Sequence, residues 1–260
     1  MIDASRDCAV LVPSCDAYSD LWTPFFTLFF RHWPDCPFKI YLGSNSLPFP
    51  NPRVTVLTSV HGAKWAERTA DHLAQIAEPN VLLCLEDFFL RHRVDTAAVL
   101  ALYQEFRTRE AAMLRLVRRP GPTTRIEGTN FGPVTPGTPY RVSTQAAFWQ
   151  RSVLCELIVP GETIWAFEHA GSIRSDRRSD GFYAVTRDVL PYKHHVVERG
   201  RWFPWEARRF GRMKIGCDFT RRPIMPAGPA LRWLALKAKD TVLAPLPTRA
   251  RARLRALVGR

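Results

Sequence analysis

The sequence lacks several patterns that would assign it to a familiar class. It contains no G-x-G-x-x-G and no G-x-x-x-x-G-K-[ST] motif, which excludes a standard dinucleotide site and a P-loop. No run approaches the roughly 18 apolar residues of a membrane-spanning helix. The first residues, 1–7, carry acids and lack the basic-then-apolar order of a signal peptide. We therefore expect a complete protein that stays in the cytoplasm.

The cysteine patterns of zinc sites and disulfide frameworks are also missing. The six cysteines form no C-x-x-C pair and show no zinc-like spacing with histidine. Most of them lie in apolar segments, where a free cysteine behaves as a small hydrophobic residue. This usage favours a reducing compartment.

Excess positive charge is absent from the first two thirds of the chain and concentrated in the last third. Residues 171–260 hold 21 Lys and Arg against 7 Asp and Glu, whereas residues 1–170 hold 16 against 17. This asymmetry predicts a polyanionic partner, which is anionic lipid, nucleic acid or a phosphorylated substrate. The length of 260 residues suits one large α/β domain, alone or with an appendage.

Strand and helix patterns alternate in the N-terminal half. Apolar runs that predict strands cover 8–13, 38–43, 53–57 and 81–85. Helices are predicted over 21–33, with Ser19 and Asp20 as caps, and over 63–77. The resulting order β-α-β-β-α-β is typical of nucleotide-binding α/β proteins.

The C-terminal half is less regular. The elements predicted there are a helix from Val94-Asp95, strands over 113–117 and 140–144, helices over 148–159 and 162–171, and an edge strand over 182–186. Residues 118–139 contain five prolines and four glycines, which predict a loop. Loops of this length are usually functional or disordered.

Two adjacent carboxylates, Glu86 and Asp87, follow the strand predicted over 81–85. Charge is costly inside a strand that is buried on both faces. The pair is therefore expected in the crevice outside the carboxyl end of the sheet, where open α/β sheets bind ligands. There the two acids could hold a divalent cation, which prefers oxygen ligands. The alternative is an acid pair that only caps the following turn.

A second group of polar residues, including Ser14 and Asp16, follows the first strand. A strand-end loop that opens a helix offers N–H groups and hydroxyls to a phosphate or a nucleobase. Asp16 could accept a hydrogen bond from a base or a ribose. Ser19 and Asp20 are interpreted as ordinary helix caps.

An acid among aromatic residues follows in the segment 163–169. Trp165 and Glu168 are three positions apart, so they share one face of a helix. Such an acid could act as a general base, and aromatic walls suit sugar rings. The alternatives are a salt-bridged surface acid for Glu168 and a helix-end residue for His169.

Basic and aromatic residues recur near the C-terminus. Arg199 and Arg201 could grip phosphate, or they could belong to a hinge, and the neighbouring His194-His195 pair is a weak candidate for a metal ligand. Two basic amphipathic helices are predicted over 233–243 and 249–258. Helices of this kind lie in membrane interfaces, although a solvated tail or a nucleic-acid-binding tail would have the same composition.

Taken together, these stretches resemble bacterial glycosyltransferases with the GT-A fold, in particular those of surface-polysaccharide and lipopolysaccharide assembly. The resemblance covers roughly residues 8–205. The segments that carry it are Ser14-Cys15-Asp16-Ala17-Tyr18-Ser19-Asp20-Leu21-Trp22, Trp33-Pro34-Asp35, Leu85-Glu86-Asp87-Phe88-Phe89, Ser143-Thr144-Gln145 through Trp149, and Trp165-Ala166-Phe167-Glu168.

The resemblance implies a fold and a set of roles. The fold would be a GT-A-like, Rossmann-like mixed sheet flanked by helices, with a basic helical tail. A nucleotide-sugar donor would be bound by Ser14, Asp16, Glu86 and Asp87. The acceptor would be bound by Gln145, Trp149 and Trp165, with Glu168 as the catalytic base and Arg199 and Arg201 on phosphate.

The family motif of the metal site is Asp-x-Asp, and this chain has Glu86-Asp87 in its place. The resemblance assigns Asp87 and Glu86 to a Mn or Mg ion, and the departure leaves metal dependence open. A bound cation would neutralise the nucleoside diphosphate as it leaves.

The expected organisation is a glycosyltransferase domain over 1–205 and a basic extension over 206–260. The expected partners are a nucleotide-sugar donor, a glycan or lipid-linked acceptor, and an anionic membrane surface at the inner face of the cell membrane, with no nucleic acid. Two other functions stay open. One is a non-catalytic membrane- or nucleic-acid-binding α/β protein, and the other is a nucleotidyltransferase, which normally has a Gly-rich basic loop that this N-terminus lacks.

Overall fold

The structure is a computed structural model that describes residues 4–60, 63–194 and 196–243, without the side chains of Ser5 and of 236–243. The chain divides into two compact units. The first comprises Met1–His195 with Ile215–Cys217, and the second comprises Val196–Lys214 with Asp218–Arg260.

The first unit combines a large sheet with helices. Its strands are β1 (Cys8–Val12), β2 (Lys39–Ser44), β3 (Thr55–Thr58), β4 (Asn80–Leu83), β5 (Phe89–Leu90), β6 (Met113–Arg115), β7 (Phe131–Pro133), β8 (Ala147–Gln150), β9 (Phe182–Val185) and β10 (Tyr192–Lys193). Its α-helices are α1 (Ala4–Asp7), α2 (Trp22–His32), α3 (Trp65–Ala74), α4 (Thr96–Thr108), α5 (Arg151–Leu157) and α6 (Ile164–Ser175), and a 3-10 helix covers Asp16–Leu21.

Eight strands form one mixed sheet in the order β3-β2-β1-β4-β8-β6-β9-β7. The neighbours from β3 to β4 pair in parallel, whereas β8 pairs antiparallel with both β4 and β6. Strand β9 is parallel to β6, and β7 is antiparallel to β9. Six strands therefore point the same way, and only β7 and β8 run against them.

The centre of the sheet is apolar because β1 and β4 are covered on both faces. All five residues of β1 and all four residues of β4 are buried, and Val10 pairs with Leu82 between them. Burial of one large apolar side chain contributes about 1.5–3 kcal/mol, so this contiguous core dominates the stability of the unit. The prediction of an α/β sheet in the N-terminal half is confirmed.

Helix α2 packs an aromatic face onto the core but begins differently from the prediction. Phe25, Phe26 and Phe29 are buried, and Phe25 lies 5.0 Å from Phe26 between ring centroids. The expected capping by Ser19 and Asp20 is wrong. The residues before α2 form the 3-10 helix, and no side chain caps the N-terminus of α2.

Several elements of the second half differ from the prediction. Residues 140–144 are not a strand, and the helix predicted over 148–159 is divided into β8 and α5. Short strand β7 lies within the Pro- and Gly-rich stretch and pairs with β9, so β9 is not at the edge. Pairing with distant strands decides the cases of β8 and β9, and hydrogen bonds to α6 decide that of residues 140–144. Local sequence patterns do not report such contacts.

The second unit is small. It contains a hairpin of β11 (Val197–Glu198) and β12 (Arg201–Trp202), helix α7 (Pro204–Met213) and helix α8 (Ala227–Leu243). Phe203, Met225 and Ala230 form its core cluster with Trp233 packed against them. Across the described residues, no helix combines the length and apolarity needed to cross a bilayer. The helix predicted over 249–258 lies outside the described residues.

Candidate active site

The strand directions gather several loops at one edge of the sheet. The chain leaves β1, β4, β6 and β9 at this edge, because these strands point the same way. It enters β8 from the same edge, since β8 is reversed. The predicted polar segments therefore meet where open α/β sheets bind ligands.

Ser14 and Glu86 join the loops that follow β1 and β4. Ser14 Oγ donates to Glu86 Oε1 at 2.9 Å and accepts from Trp22 Nε1 at 2.9 Å. Ser14 and Glu86 are both buried, with Glu86 8% exposed, whereas Asp87 is half-buried. Glu86 thus fastens the two loops together, and Asp87 is the more accessible carboxylate of the pair.

Asp16 fastens the loop after β1 to the loop after β2. Its Oδ1 accepts from Ser44 Oγ at 2.8 Å and from the backbone N–H groups of Asn45, Ser46 and Leu47 at 2.9–3.3 Å. Its Oδ2 accepts from Ser46 Oγ at 2.7 Å. Partial desolvation raises the pKa of Asp16, but hydrogen bonds from Ser46 and Ser44 outweigh it, so the pKa lies well below its usual value.

We expect Asp16→Asn to destabilise the protein by about 1–3 kcal/mol at neutral pH, because hydrogen bonds to a charged acceptor are lost. A lowered folded-state pKa means that the stabilisation is complete above the unfolded-state pKa of about 3.9 and is lost as the pH falls toward the folded-state value. The difference in unfolding free energy from wild type should therefore shrink below about pH 4. Urea titrations from pH 7 to pH 3 measure it, with the exposed Glu127→Gln as control. A difference that stays constant over this range would contradict the assignment.

Gln145 is connected to the acid-pair loop through Tyr192. The hydroxyl of Tyr192 donates to Gln145 Oε1 at 3.0 Å and accepts from Ala146 N at 3.1 Å. The Tyr192 ring stacks on Phe88 with centroids 5.1 Å apart, and burial raises the pKa of Tyr192 well above its usual value. Gln145 therefore lies at the same edge as the loop that carries Glu86.

Glu168 is held at the loop that enters β8. Its Oε1 accepts from Thr144 N at 2.7 Å and from Thr144 Oγ1 at 2.9 Å. Among the described residues, its Oε2 has no hydrogen-bond partner. Glu168 is half-buried and lines a cleft of about 460 Å³. The carboxylate is thus positioned through one oxygen and can receive a proton on the other.

The loop before β8 runs along α6, which explains why residues 140–144 form no strand. Val142 N donates to Ser172 Oγ at 3.1 Å, and Arg141 donates to the carbonyl of Ser175. With Thr144 N on Glu168, two side chains of one helical face satisfy backbone N–H groups of this segment, and the Arg141 guanidinium bonds to a carbonyl of the same helix. The polar groups of the segment are therefore paired with the helix instead of with a neighbouring strand.

Exposed aromatic side chains line the cleft at Glu168. Trp165 is 75% exposed and Tyr140 is 55% exposed. His169 and Asp176 also line it. A large exposed aromatic face beside a carboxylate is suited to bind a sugar ring.

Trp149 does not lie in this cleft. It is fully buried in the core, on β8, with its ring 6.0 Å from that of Phe182. The expected contact of Trp149 with an acceptor is therefore wrong. Strand β8 is buried on both faces, and Trp149 packs into the core.

Arg199 and Arg201 belong to the second unit. Arg199 is the first residue of the two-residue turn of the β11–β12 hairpin, and Arg201 follows the turn. Arg199 and Gly200 both have positive φ. Two such residues in succession are typical of a tight type I′ turn. Arg199 is largely exposed and lies 4.0 Å from Glu198. His195, of the predicted histidine pair, lies outside the described residues.

The acid pair Glu86-Asp87 fits a cation that is coordinated jointly by protein and substrate better than one coordinated by protein side chains alone. No cluster of three or more His, Cys, Asp or Glu residues suited to a metal is found in the described part of the chain. Mg²⁺ commonly uses one or two carboxylates together with substrate phosphates. Asp87, with Glu86 beside it, matches that donor set if a diphosphate supplies the remaining oxygens.

Sequence reasoning missed Arg115. This residue ends β6 and is fully buried, and it donates to the carbonyls of Pro120, Tyr140 and Arg141. Burial lowers its pKa to about 10, so the guanidinium stays charged at neutral pH. The sequence did contain a signal, because Arg115 is the one charged residue inside the apolar run 113–117. Arg115 fixes both the loop after β6 and the loop before β8.

Comparisons by sequence do not identify the chain. No protein-family model matches it, and no curated protein matches it. Several solved structures do match.

The mannosyltransferase PcManGT from Pyrobaculum calidifontis, solved with GDP-Man and Mn²⁺, is 14% identical; the match covers 97% of this chain and 79% of that one, with a TM-score of 0.51. TarS residues 1–349 from S. aureus are 14% identical over 69% of this chain, with a TM-score of 0.44. The match spans 60% of that TarS chain. A 2-C-methyl-D-erythritol 4-phosphate cytidylyltransferase from Thermus thermophilus is 14% identical, covering 79% of this chain and 97% of that one, with a TM-score of 0.47.

These likenesses concern the fold. The expectation of a GT-A-like mixed sheet flanked by helices is confirmed. At 14% identity the likeness carries no statement about the substrate of this chain.

Proposed function

We propose that the protein is a glycosyltransferase that moves a sugar from a nucleotide-sugar donor to a glycan or lipid-linked acceptor in bacterial cell-surface polysaccharide synthesis. The observation that carries this proposal is the meeting of two groups at one sheet edge. The acid-pair loop after β4 lies there, and so does the loop before β8 on which Glu168 is anchored. The GT-A-like fold supports the same conclusion.

The donor would be bound by the loops after β1 and β4. Ser14 and Asp16 hold these loops in position, and Glu86 ties them together. Asp87 would hold a Mn or Mg ion with Glu86 beside it, and such an ion supplies positive charge against the departing diphosphate. Arg199 and Arg201 are further candidates for phosphate contacts.

The acceptor would be bound in the cleft at Glu168. Trp165 offers an apolar face to a sugar ring, and Gln145 contributes amide groups at the same edge. Glu168 takes the proton from the acceptor hydroxyl. That oxygen then bonds to the anomeric carbon, and the bond from this carbon to the nucleoside diphosphate breaks, with inversion of configuration.

We assign residues 1–205 to the transferase and 206–260 to a basic extension that docks on the anionic inner face of the cell membrane. The charge of the last third supports this, because basic residues near an anionic leaflet contribute about 1 kcal/mol each. Leu231 and Leu234 are exposed on α8 and could enter the interface. Co-sedimentation with anionic vesicles, which must decline with salt and fail with neutral vesicles, tests this assignment.

A thermal-shift panel of UDP-, GDP-, CMP- and dTDP-sugars, with and without manganese, tests the transferase. A ligand that binds the folded protein raises the melting temperature by mass action. A shift with one nucleotide class supports the proposal, and dependence of that shift on manganese supports an ion at Asp87. If none of the donors changes the melting temperature of the folded protein, a non-catalytic binding protein replaces the transferase as the explanation.

A further inference from the structure

A second cleft, of about 400 Å³, lies at the same sheet edge but beyond β8. It is formed by the loop that follows β6 and by the residue that follows β9. We call it the arginine cleft. The side chains that characterise it are Arg118, Arg119 and Arg125, with Thr123, Thr124 and Thr186.

The loop of the arginine cleft is an ordered hairpin. Thr123 N donates to the carbonyl of Pro133 at 2.8 Å, and Ile126 N donates to that of Phe131 at 3.1 Å. A Cβ atom at Gly132 would collide with the carbonyl oxygen of Thr124, so only glycine permits this close approach. The cleft is therefore preformed by backbone contacts.

The base of the loop is fixed by the buried Arg115, which donates to the carbonyl of Pro120. This bond holds the residues next to Arg118 and Arg119. The side chain of Arg125 is oriented separately, because its Nε donates to the carbonyl of Thr129 at 2.7 Å. The guanidinium of Arg125 is thus oriented before any ligand arrives, and the backbone next to Arg118 and Arg119 is fixed.

The charge of the cleft is only partly compensated. Arg118 pairs with Asp188, 3.6 Å away. Considering the described residues alone, Arg119 and Arg125 have no carboxylate within 4.0 Å. Thr186 Oγ1 donates to the carbonyl of Asn130, and Thr123 Oγ1 bonds with Thr135 and Thr138. The two exposed guanidinium groups and the hydroxyl of Thr124 are the donors that suit the oxygens of a phosphate group.

The arginine cleft is separate from the proposed donor site. None of the residues that line the arginine cleft belongs to the loops after β1 and β4. In the sheet, β8 lies between β4 and β6, the strand whose following loop carries the three arginines. The cleft adjoins the Glu168 cleft instead, because Thr123 Oγ1 lies 3.3 Å from Thr138 Oγ1 and these residues line one cleft each.

We propose that the arginine cleft binds a phosphate or diphosphate group carried by the acceptor, so that the acceptor spans the wall between this cleft and the Glu168 cleft. The identification of the ligand as an acceptor rests on the proposed transferase function, whereas the phosphate site itself does not depend on that function. The phosphate group belongs either to a lipid carrier or to a phosphorylated glycan.

Calorimetric titration with sodium pyrophosphate tests the site. The protein carries Asp87→Ala in every sample, so that the proposed donor site contributes no metal-assisted binding. We expect Arg119→Gln/Arg125→Gln to weaken pyrophosphate binding by at least about tenfold. Arg119→Lys should retain part of the affinity, because it keeps the charge without the planar fork.

A matched pair, Arg208→Gln/Arg212→Gln, removes the same charge from exposed positions of α7. It should bind pyrophosphate as the parent does. The proposal would be overturned if the Arg119→Gln/Arg125→Gln variant bound pyrophosphate as tightly as the parent. It would also be overturned if both double variants lost the same affinity, because that loss would reflect net charge alone. Melting temperatures of all variants confirm that each is folded.

Two further probes distinguish the source of the phosphate. Tighter binding of farnesyl diphosphate than of pyrophosphate supports a lipid carrier, and tighter binding of glucose 1-phosphate supports a phosphorylated glycan. Failure of the donor panel with pyrophosphate binding intact would reject the transferase and leave the site. A donor shift without pyrophosphate binding would reject the site and leave the transferase.

Discussion

The Asp87→Ala variant is expected to lose sugar transfer by roughly 10²–10³-fold in kcat/KM while its fold is retained. Asp87 lies in the loop after β4 and is half-buried, whereas its neighbour Glu86 is buried and bonded to Ser14. The leaving diphosphate is the group that most needs charge stabilisation. Transfer assays with the donor identified by thermal shift measure the loss.

Two matched variants separate the role of charge from that of loop structure. Asp87→Asn keeps the shape of the side chain and should lose nearly as much activity. Glu86→Gln keeps an acceptor for Ser14 Oγ and should cost less, because its role is to join two loops. Normal turnover by Asp87→Ala would show that the acid pair only caps a turn. The manganese-dependent part of the thermal shift should also disappear with Asp87.

The Glu168→Gln variant is expected to lower kcat by roughly 10²–10⁴-fold with little change in melting temperature. The glutamine carbonyl can accept the same two hydrogen bonds from Thr144 N and Oγ1, so the loop before β8 stays anchored. It cannot take a proton from an acceptor hydroxyl.

Thr144→Val is the control for a purely structural role of Glu168. It removes one of the two hydrogen bonds to Oε1 and leaves the carboxylate in the cleft. We expect roughly tenfold or less loss of activity, because Thr144 N still donates to Oε1 and keeps the carboxylate in position. If Thr144→Val were as inactive as Glu168→Gln, Glu168 would be a positioning residue instead of the base.

The N-terminal half of the sheet could be predicted because its signals are local. The apolar run 81–85 and the run 8–13 both became buried central strands. The helix predicted from Val94-Asp95 begins there, and the Asp95 side chain caps it by accepting from Ala98 N at 3.1 Å. Periodicity is a property of neighbouring residues, so sequence alone reports it.

Only part of the second half could be predicted. Strands β6 and β9 lie in predicted runs and helix α6 overlaps one, but distant partners decide the other elements. The run 148–159 contains both a strand and a helix, and only the pairing of Phe148 with Leu82 and Leu114 makes its first part β8. The run 140–144 has a strand-like composition, but its hydrogen bonds go to α6 and Arg115. Local preference is overridden by tertiary contacts in both cases.

The same distinction applies to the candidate site. Residue type and strand-end position suggested Glu86, Asp87 and Glu168, and their roles stay predictions. Burial could not be deduced for Trp149, since it depends on which face of β8 meets the core. The arginine cleft was also invisible in the sequence, because it needs a hairpin that brings Thr123 next to Pro133.

The pairing of Arg115 with Ala147 has a consequence for how this protein could diversify. These two residues are directly opposite in the sheet, so the chain departs at one and returns beside it after the 116–146 segment. A segment whose ends are already adjacent can be lengthened cheaply, at about 0.6 kcal/mol for each doubling of a flexible loop. The length of the 116–146 segment can therefore change at low cost in folding free energy. Changes in its length should leave the parallel strands β1–β4 unaltered, because none of their pairings involves this segment.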